Sequence, residues 1–255
     1  MKLLHLDKEP FWTLPYNNAG RDGLPCRAFL PLYRGRVDKL PDGLAALVAA
    51  SDLQGREDDE DDRLLGLLLA EELEELAQAG LVPPLGDSGL LLAGDLYGVP
   101  GSLKRGGSGD VGEVWRAFAE RFRWVAGVLG NHDLLQGNLP MNARLLDDSV
   151  AHLDGLRIAG LSGIVGDPKR PNRRSAAEFA GKIAALAAGR PDLLILHQGP
   201  DRRPHPDPTV AAALTGARNL FLLCGHSPWP DPLLAWGEGC QALNVDARVV
   251  VLTAG

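Results

Sequence analysis

Five short apolar runs, each followed by a polar residue that can bind a metal ion, constrain the fold of this chain more than any other feature. Such runs are typical of buried β-strands, and in an α/β sheet the carboxyl ends of the strands meet at one edge. We therefore expect the polar side chains after the runs to lie together in one crevice. The runs cover residues 44–50, 90–93, 124–129, 193–196 and 220–223.

The polar residues at the ends of these runs are aspartate, asparagine and histidine. Carboxylates, amide oxygens and imidazoles are groups with which proteins bind divalent cations. Gathered in one crevice, they would bind divalent metal and leave one imidazole for proton transfer. The pattern therefore predicts a metal-dependent hydrolase. The candidate residues are Asp52, Asp95, Asn131, His132, His197 and His226.

Composition narrows the class of protein further. A chain of 255 residues, 45% apolar and 23% charged, is ordinary for a globular protein with an ample core. The formal net charge of −7 argues against a general nucleic-acid-binding surface. It leaves room for a small phosphorylated substrate, because a metal ion supplies positive charge locally whatever the net charge.

The cysteine content and the lengths of the apolar runs bear on the compartment. Three cysteines are too few for a disulfide framework, which indicates a reducing environment. No apolar run approaches the length of a membrane span, and the first residues do not resemble a secretory signal. We therefore expect a cytoplasmic protein without a membrane partner.

Residues 1–41 differ from the rest of the chain. They are rich in proline, glycine, arginine and aromatic residues and have no lasting hydrophobic period, although residues 27–32 predict an edge strand. We interpret them as an N-terminal extension packed against a single domain that spans residues 1–255, since no composition shift marks a linker. A second interpretation, in which the segment also shapes the mouth of the site, stays open.

Three segments carry helix signals. The acidic run at residues 56–62 is expected to form the first turn of a helix that continues to Ala79 and ends at Gly80, because acidic side chains stabilise the positive end of the helix dipole. The spacing of a capping box occurs twice. The two pairs are Asp110 with Glu113, before a helix to about residue 122, and Ser175 with Glu178, before a helix to about residue 188.

The remaining signals are for strands. Asp154-Gly155 between two apolar stretches, 150–153 and 156–161, is a strong hairpin signal. Residues 241–252 predict a further strand pair. The order of strands and helices predicts an α/β protein in which two β-sheets pack face to face with helices outside.

The residues after the strands, taken in order, resemble the signature of the calcineurin-like metallophosphoesterases. Gly130-Asn131-His132-Asp133 after a strand is its most specific part, whereas Gly94-Asp95 or Gly225-His226 alone is a weak signal. The resemblance extends from about residue 51 to about residue 251. It implies the fold of that family, a four-layer α/β/β/α sandwich of two mixed β-sheets flanked by helices.

The resemblance also assigns roles. It implies neighbouring first and second metal positions with Asp95 bridging them, and hydrolysis of a phosphomonoester or phosphodiester by a metal-activated hydroxide. His132 would be the general acid for the leaving oxygen, positioned by Asp133. The implied metal ligands are Asp52 and Gln54 at the first position, and Asn131, His197 and His226 with Asp95 at the second.

Two departures from the family pattern fall on the first position. The family's Asp-x-His motif has Gln54 in place of the histidine, and its Gly-His-x-His motif has Pro228 in place of the last histidine. Without imidazoles this position offers oxygen ligands, which favour Mn²⁺ or Mg²⁺ over zinc or iron. We predict one or two divalent ions: one held firmly at the second position, and a weaker, Mn²⁺-dependent or empty first position. Manganese is the favoured cofactor, with Fe, Zn or Mg as alternatives.

Basic residues near the predicted mouth are candidates for binding an anionic substrate, because arginine forms paired hydrogen bonds with phosphate. Solvated loops are an equally good interpretation of these charges. The proline-rich loop of residues 199–206 also contains His205, which is a weak candidate to replace the missing imidazole. The candidate substrate contacts are Arg56, Arg173, Arg174, Arg202 and Arg203.

Other functions compete with this one. A family member that binds a phosphorylated ligand or a partner without turnover would explain the changes at positions 54 and 228, although the retained His132 favours catalysis. The protein serine/threonine phosphatase branch is disfavoured, because Leu96-Tyr97-Gly98 follows Asp95 without the arginine of that branch. A DNA nuclease of the same superfamily is disfavoured by the acidic charge balance.

Overall fold

The computed structural model describes residues 1–20, 24–104, 106–202 and 207–255 and shows a mixed α/β protein. Short 3-10 helices lie at Leu85–Asp87 and Pro100–Ser102. The first part of the chain forms β1 (Leu3–Leu6), β2 (Trp12–Ala19), β3 (Pro25–Val37), β4 (Ala46–Ser51), α1 (Leu65–Gln78), β5 (Ser88–Leu92), β6 (Gly109–Asp110), α2 (Gly112–Ala119), β7 (Trp124–Gly127), β8 (Asp133–Leu134) and β9 (Ala143–Leu145).

The second part of the chain contains the remaining two helices and nine strands. It forms β10 (Ser149–Leu153), β11 (Leu156–Leu161), β12 (Ile164–Val165), β13 (Arg173–Arg174), α3 (Ala176–Ala188), β14 (Leu193–Gln198), α4 (Thr209–Ala213), β15 (Phe221–Gly225), β16 (Leu233–Trp236), β17 (Cys240–Asn244) and β18 (Arg248–Ala254).

The first large sheet has the order β1-β3-β18-β4-β5-β7-β9, with β2 also paired to β3. β4, β5, β7 and β9 are parallel, and β18 runs antiparallel to β4. The apolar runs at residues 44–50, 90–93 and 124–129 form β4, β5 and β7, which confirms the strands predicted there.

The second large sheet has the order β10-β11-β14-β15-β17-β16. Its four inner strands are parallel and its two outer strands are antiparallel to their neighbours. The runs at residues 193–196 and 220–223 form β14 and β15, as predicted. Two short ladders, β6 with β8 and β12 with β13, complete the pairing among the named strands.

Apolar side chains pack in three clusters. One contains buried residues of both large sheets, such as Leu91 of β5 and Ile195 of β14. The second joins α1 and α2 to the first sheet and includes the fully buried Trp115, and the third joins α3 and α4 to the second sheet and includes Phe179. Removing a side chain such as that of Phe179 from water stabilises a fold by about 1.5–3 kcal/mol, so each helix is held by its apolar face.

Residues 1–41, expected as an extension packed against the domain, contribute β1, β2 and β3 to the first sheet. The strand expected over residues 27–32 is part of β3. The expectation of an edge strand is wrong from Leu32 onwards, because β18 pairs with β3 on the side opposite β1. Leu3 of β1 and Ala254 of β18 both pair with Val37, at the end of β3.

The acidic run at residues 56–62 does not form the first turn of a helix, contrary to expectation. α1 begins only at Leu65 and has no acidic residue in its first turn. The backbone of Arg56 forms an isolated β-bridge with Asn17 of β2 and a second one with Leu64. These pairings hold the acidic run as a loop, so the helix begins after it.

The cap expected at Asp110 is also absent, whereas the one expected at Ser175 is present. Asp110 lies in β6, and its Oδ1 accepts hydrogen bonds from the backbone N–H groups of Gly112 and Gln136. The Asp110 side chain is therefore engaged elsewhere, and α2 begins at Gly112 without a side-chain cap.

The caps predicted for the other two helices are confirmed. The hydroxyl of Ser175 accepts the N–H of Glu178 at the start of α3. Gly80 follows α1 at φ 73°, and its N–H donates to the Ala77 carbonyl, which ends the helix. Within the described ranges, none of the helices has the length and apolar character needed to cross a membrane.

The hairpin predicted around Asp154-Gly155 is confirmed, because Leu153 of β10 pairs with Leu156 of β11. The strand pair predicted over residues 241–252 is wrong. β17 belongs to the second sheet and β18 to the first, so the chain crosses from one sheet to the other at residues 245–247.

Candidate metal centre

Strand ends from both large sheets meet at one place, and the residues expected as metal ligands lie there. Asp95 follows β5 of the first sheet, whereas His197 lies in β14 and His226 directly follows β15 of the second. One ligand atom from each of these three residues lies within 4.8 Å of the other two. An aspartate and two histidines at this separation can bind a single cation.

Three of the expected ligands have a left-handed backbone. The φ angles are 56° for Asp52, 55° for Asp95 and 70° for His226. A residue other than glycine costs about 1–3 kcal/mol in this region, and such strain is concentrated at functional sites. Surrounding contacts hold the conformation: Asp52 donates its N–H to the Gly94 carbonyl at 2.9 Å, and His226 donates its N–H to Oδ2 of Asp52 at 2.9 Å.

Two glycines allow the strand ends to approach this closely. A Cβ atom at position 130 would lie 2.0 Å from Oδ1 of Asp95, and one at position 225 would lie 2.1 Å from the hydroxyl oxygen of Ser51. Any side chain at Gly130 or Gly225 would therefore push apart the loops that carry the candidate ligands.

Two buried polar atoms at this place have no hydrogen-bond partner among the described residues. They are Oδ1 of Asn131, whose residue is 4% exposed, and Nε2 of His197, whose residue is fully buried. An unpaired buried polar group is unfavourable by about 1–3 kcal/mol unless something else binds it. An amide oxygen and an imidazole nitrogen are both metal ligands, so the donor set fits a divalent cation.

Hydrogen bonding fixes which nitrogen of His197 is available. Nδ1 lies 2.7 Å from the carbonyl oxygen of Ala93, and a carbonyl only accepts, so Nδ1 carries a proton. Nε2 lies 3.3 Å from Oδ2 of Asp95. Burial alone lowers the pKa of His197, but the Asp95 carboxylate opposes this and raises the pKa to about 10. His197 is therefore protonated when no cation is bound, and a divalent cation at Nε2 would replace that proton.

Asp52 lies in the same environment. Its Oδ2 accepts hydrogen bonds from the Ser51 hydroxyl at 2.6 Å and from the His226 N–H. Burial raises the pKa of Asp52, the charge of His197 opposes the rise, and the carboxylates of Asp246 and Asp95 add to it, so that the pKa lies at about 8. Concentrated negative charge of this kind favours the binding of a cation.

Gln54 contacts the site differently from the sequence prediction. Its carbonyl oxygen was expected as a possible metal ligand. Instead its amide nitrogen donates a hydrogen bond to Oδ2 of Asp95 at 3.1 Å. The reason is that the ionised Asp95 carboxylate attracts the donor end of the amide.

Asp133 does not orient the ring of His132, which corrects the role assigned to it. Its carboxylate accepts the backbone N–H groups of two loops instead. Oδ2 accepts from Asp95 at 2.7 Å and from Gly130 at 2.9 Å, while Oδ1 accepts from Leu96 at 2.7 Å and from Tyr97 at 3.2 Å. Asp133 thereby fixes the loop of Asp95 against the loop of Asn131.

His132 is oriented by a backbone carbonyl. Its Nδ1 lies 2.8 Å from the carbonyl oxygen of Gly107, so this nitrogen carries a proton. Its backbone N–H donates to Oδ1 of Asp95 at 2.9 Å. The half-buried ring therefore lies beside the Asp95 loop, with Nδ1 held by the backbone.

A cavity of about 390 Å³ opens beside several of the candidate ligands. Asp52, Gln54 and His226 line it together with the side chain of Pro228. The N-terminal strand β2 contributes Tyr16, Asn18 and Ala19 to its wall. Residues of the N-terminal segment therefore form part of the cavity wall.

Arg56 and Arg174, expected as candidate substrate contacts, are engaged in structural hydrogen bonds. The guanidinium of Arg56 donates to the carbonyl oxygens of Gly98 and Asp62. That of Arg174 donates to the Ser162 carbonyl and to the Asp147 carboxylate. Their geometry thus favours a role in holding loops over a role in substrate binding.

The other candidate basic residues differ in their surroundings. Arg173 is half-buried, and burial together with the charge of Arg170 lowers its pKa while the charge of Asp95 opposes the change. Arg202 donates to the Asp231 carbonyl and lies over the Trp229 ring. The predictions for Arg203 and for His205 fall outside the described residues.

One acidic residue at the cavity was missed by the sequence prediction. Asp246 is half-buried, lines the cavity with Asp52, and has a pKa raised chiefly by burial. A signal for it exists in the sequence, because the apolar run Ala242-Leu243 leads to Asn244-Val245-Asp246 in the manner of the other five runs. The interpretation of residues 241–252 as a strand pair left Asp246 out of the set of strand ends.

Neither the protein-family models nor the curated protein sequences contain a match to this chain. The likeness to the calcineurin-like metallophosphoesterases therefore rests on the motifs and on the geometry of the strand ends.

Proposed function

We propose that this protein is a metal-dependent phosphoesterase of the calcineurin-like metallophosphoesterase superfamily. The arrangement of its elements supports the proposal. Two mixed sheets share one apolar cluster, and each sheet shares another with helices, as expected for a four-layer α/β/β/α sandwich.

One observation carries the proposal. The ligand atoms of Asp95, His197 and His226 lie within 4.8 Å of one another, and the buried Oδ1 of Asn131 has no hydrogen-bond partner among the described residues. These four residues are the ones that the family motifs assign to the second metal position. The order of the motifs in the sequence and the convergence of their residues in space are separate features, and both agree with a metal site.

The metal, when bound, supplies positive charge to phosphate oxygens and activates water as the nucleophile. The chain itself supplies the proton for the leaving oxygen. Since Nδ1 of His132 donates to the Gly107 carbonyl, the imidazolium form carries its transferable proton on Nε2. Transfer of that proton to the leaving oxygen neutralises the charge that develops as the phosphorus–oxygen bond breaks.

The substrate is proposed to be a small phosphomonoester or phosphodiester. A cavity of about 390 Å³ is within the usual range for small-molecule sites. The exposed Lys104 lines the cavity and can contact an anionic group bound there.

Hydrolysis of p-nitrophenyl phosphate and bis-p-nitrophenyl phosphate in the presence of Mn²⁺, Mg²⁺, Zn²⁺ or Fe²⁺ tests the proposal. We expect turnover that requires metal, is greatest with Mn²⁺ and is abolished by His197→Ala. The exposed His152 of β10 provides a matched control, since His152→Ala removes an imidazole remote from these contacts. Absence of turnover with every metal, in a folded protein, would contradict the proposal.

A second candidate function has one observation in its favour. The amide of Gln54 donates to Oδ2 of Asp95, the oxygen that is also nearest to His197. This contact competes with a cation at the first position and suits a family member that binds a phosphorylated ligand or a partner with little or no turnover. Phosphate binding in the presence of Mn²⁺, without hydrolysis of either substrate, would favour this second function.

A further inference from the structure

The topology brings Asp246 to the same edge as the strand ends that carry the candidate ligands. β17 runs parallel to β15, and the Val245 N–H donates to the Cys224 carbonyl, so both strands end beside each other. β18 begins where antiparallel β4 ends, since Arg248 pairs with Ser51. The crossover between β17 and β18 therefore lies between the ends of β4 and β15.

Backbone contacts hold Asp246 in this crossover. An isolated bridge joins it to Ser51, the residue before Asp52. Its N–H donates to Oδ1 of Asn244, and its carbonyl oxygen accepts from Nε of Arg248. The position of Asp246 relative to the end of β4 is thus determined by the sheet itself.

The cavity wall at this point contains several oxygen donors. Asp52, Gln54 and Asp246 line it together with His226, one of the residues grouped with Asp95 and His197. On the Asp52 carboxylate, Oδ2 accepts the hydrogen bonds from the Ser51 hydroxyl and from the His226 N–H. The buried Nε2 of His197, which has no hydrogen-bond partner among the described residues, lies against the Asp95 carboxylate at the same site.

We propose that Asp246 is a ligand of the first metal position, where its carboxylate replaces the imidazoles missing at positions 54 and 228. This inference rests on the proposed function. The carboxylates of Asp52, Asp95 and Asp246 would then hold an ion at the first position. A set of hard oxygen donors selects Mn²⁺ or Mg²⁺ and disfavours zinc.

Mn²⁺ binding to the metal-stripped full chain tests the inference, with free Mn²⁺ followed by electron paramagnetic resonance. We expect two ions per wild-type chain, bound with different affinities. Asp246→Asn should weaken the second ion to bind by about tenfold or more and leave the first unchanged. Asp42→Asn, which changes an exposed aspartate before β4, is the matched control and should alter neither affinity.

The outcomes separate this inference from the proposed function. Two unchanged affinities in Asp246→Asn, or a single ion in the wild type, would overturn the role of Asp246. If that single ion is lost in His197→Ala, the proposed function survives. A wild-type chain that binds no Mn²⁺ overturns both.

A second measurement does not depend on a variant that folds. In wild-type crystals soaked with Mn²⁺, anomalous scattering should locate an ion with an Asp246 carboxylate oxygen within roughly 2.0–2.6 Å. An ion at the first position with Asp246 beyond that range would refute the inference.

Discussion

The carboxylate of Asp133 accepts the backbone N–H of Asp95 at 2.7 Å and that of Gly130 at 2.9 Å on the same oxygen. Its other oxygen accepts the N–H groups of Leu96 and Tyr97. A single buried side chain therefore holds together the two loops that supply Asp95 and Asn131. The role of Asp133, the last residue of the Gly-Asn-His-Asp sequence, is therefore to join these loops and not to orient the histidine ring.

Asp133→Asn should destabilise the protein and weaken metal binding. The amide has one accepting oxygen, so its NH₂ group would face backbone N–H groups that have lost their acceptor. We expect the free energy of unfolding to fall by roughly 1–3 kcal/mol and Mn²⁺ affinity to fall by about 10–100-fold. Chemical denaturation and Mn²⁺ titration measure the two effects.

Asp110→Asn is the control for this prediction, because half-buried Asp110 also accepts two backbone N–H groups but lies in β6. It should leave Mn²⁺ affinity unchanged. Wild-type Mn²⁺ affinity in Asp133→Asn would show that the two loops keep their positions without the Asp133 carboxylate.

His132→Ala should slow hydrolysis without altering metal content. Since the His132 imidazole donates to Gly107 and is not grouped with Asp95, His197 and His226, its removal leaves that set intact. We expect a rate loss of about 10²–10⁴-fold for substrates with poor leaving groups and a smaller loss for p-nitrophenyl esters. Equal losses for both kinds of substrate would argue against a leaving-group acid at this position.

Gln54→His should shift metal preference towards zinc. The change removes the amide that donates to Asp95 and restores an imidazole at the first position. We expect Zn²⁺ affinity to rise by roughly tenfold or more, as measured by competition with a zinc-binding dye. Gln78→His, at the exposed end of α1, is the control, and an unchanged Zn²⁺ affinity in Gln54→His would mean that position 54 does not reach the cation.

The Arg63–Glu57 ion pair should stabilise the protein in a pH-dependent manner. Hydrogen bonding to Arg63 lowers the pKa of Glu57 in the folded state relative to its unfolded value of 4.5. The ionised carboxylate is therefore favoured by folding, so the stabilisation is present above about pH 4.5 and is lost as the pH falls through the lower folded value.

Arg63→Gln should accordingly lower the free energy of unfolding at neutral pH by roughly 0.5–1 kcal/mol, with the difference shrinking in acid. Arg218→Gln is the control, because Arg218 and Glu238 form a largely exposed pair. Denaturation curves across the acid range would show the trend, and a difference that grows towards low pH would contradict it.

The strands and the residues at their ends could be predicted from the sequence because both depend on local pattern. Apolar runs of four to seven residues have few alternatives to buried strands, and their parallel pairing brings the residues that follow to one edge. The convergence of Asp95, His197 and His226 follows from that regularity.

Contacts between distant segments could not be predicted in the same way. The pairing of Arg56 with Asn17 turns an acidic run with a good helix signal into a loop, and nothing near residue 56 encodes the presence of β2. Asp246 was overlooked for a similar reason. Its apolar run was interpreted as part of a strand pair, whereas β17 and β18 belong to different sheets and Asp246 lies between them at the cavity.

The shared pairing of Leu3 and Ala254 with Val37 has a practical consequence. Arg248, at the other end of β18, pairs with Ser51 beside Asp52, so the full strand, roughly 20 Å, separates Ala254 from the candidate ligands. A fluorophore or an affinity tag attached next to Leu3 or Ala254 would lie at the end of the sheet that is far from the candidate ligands. The protein can therefore be immobilised through either end with its pocket still facing the solution.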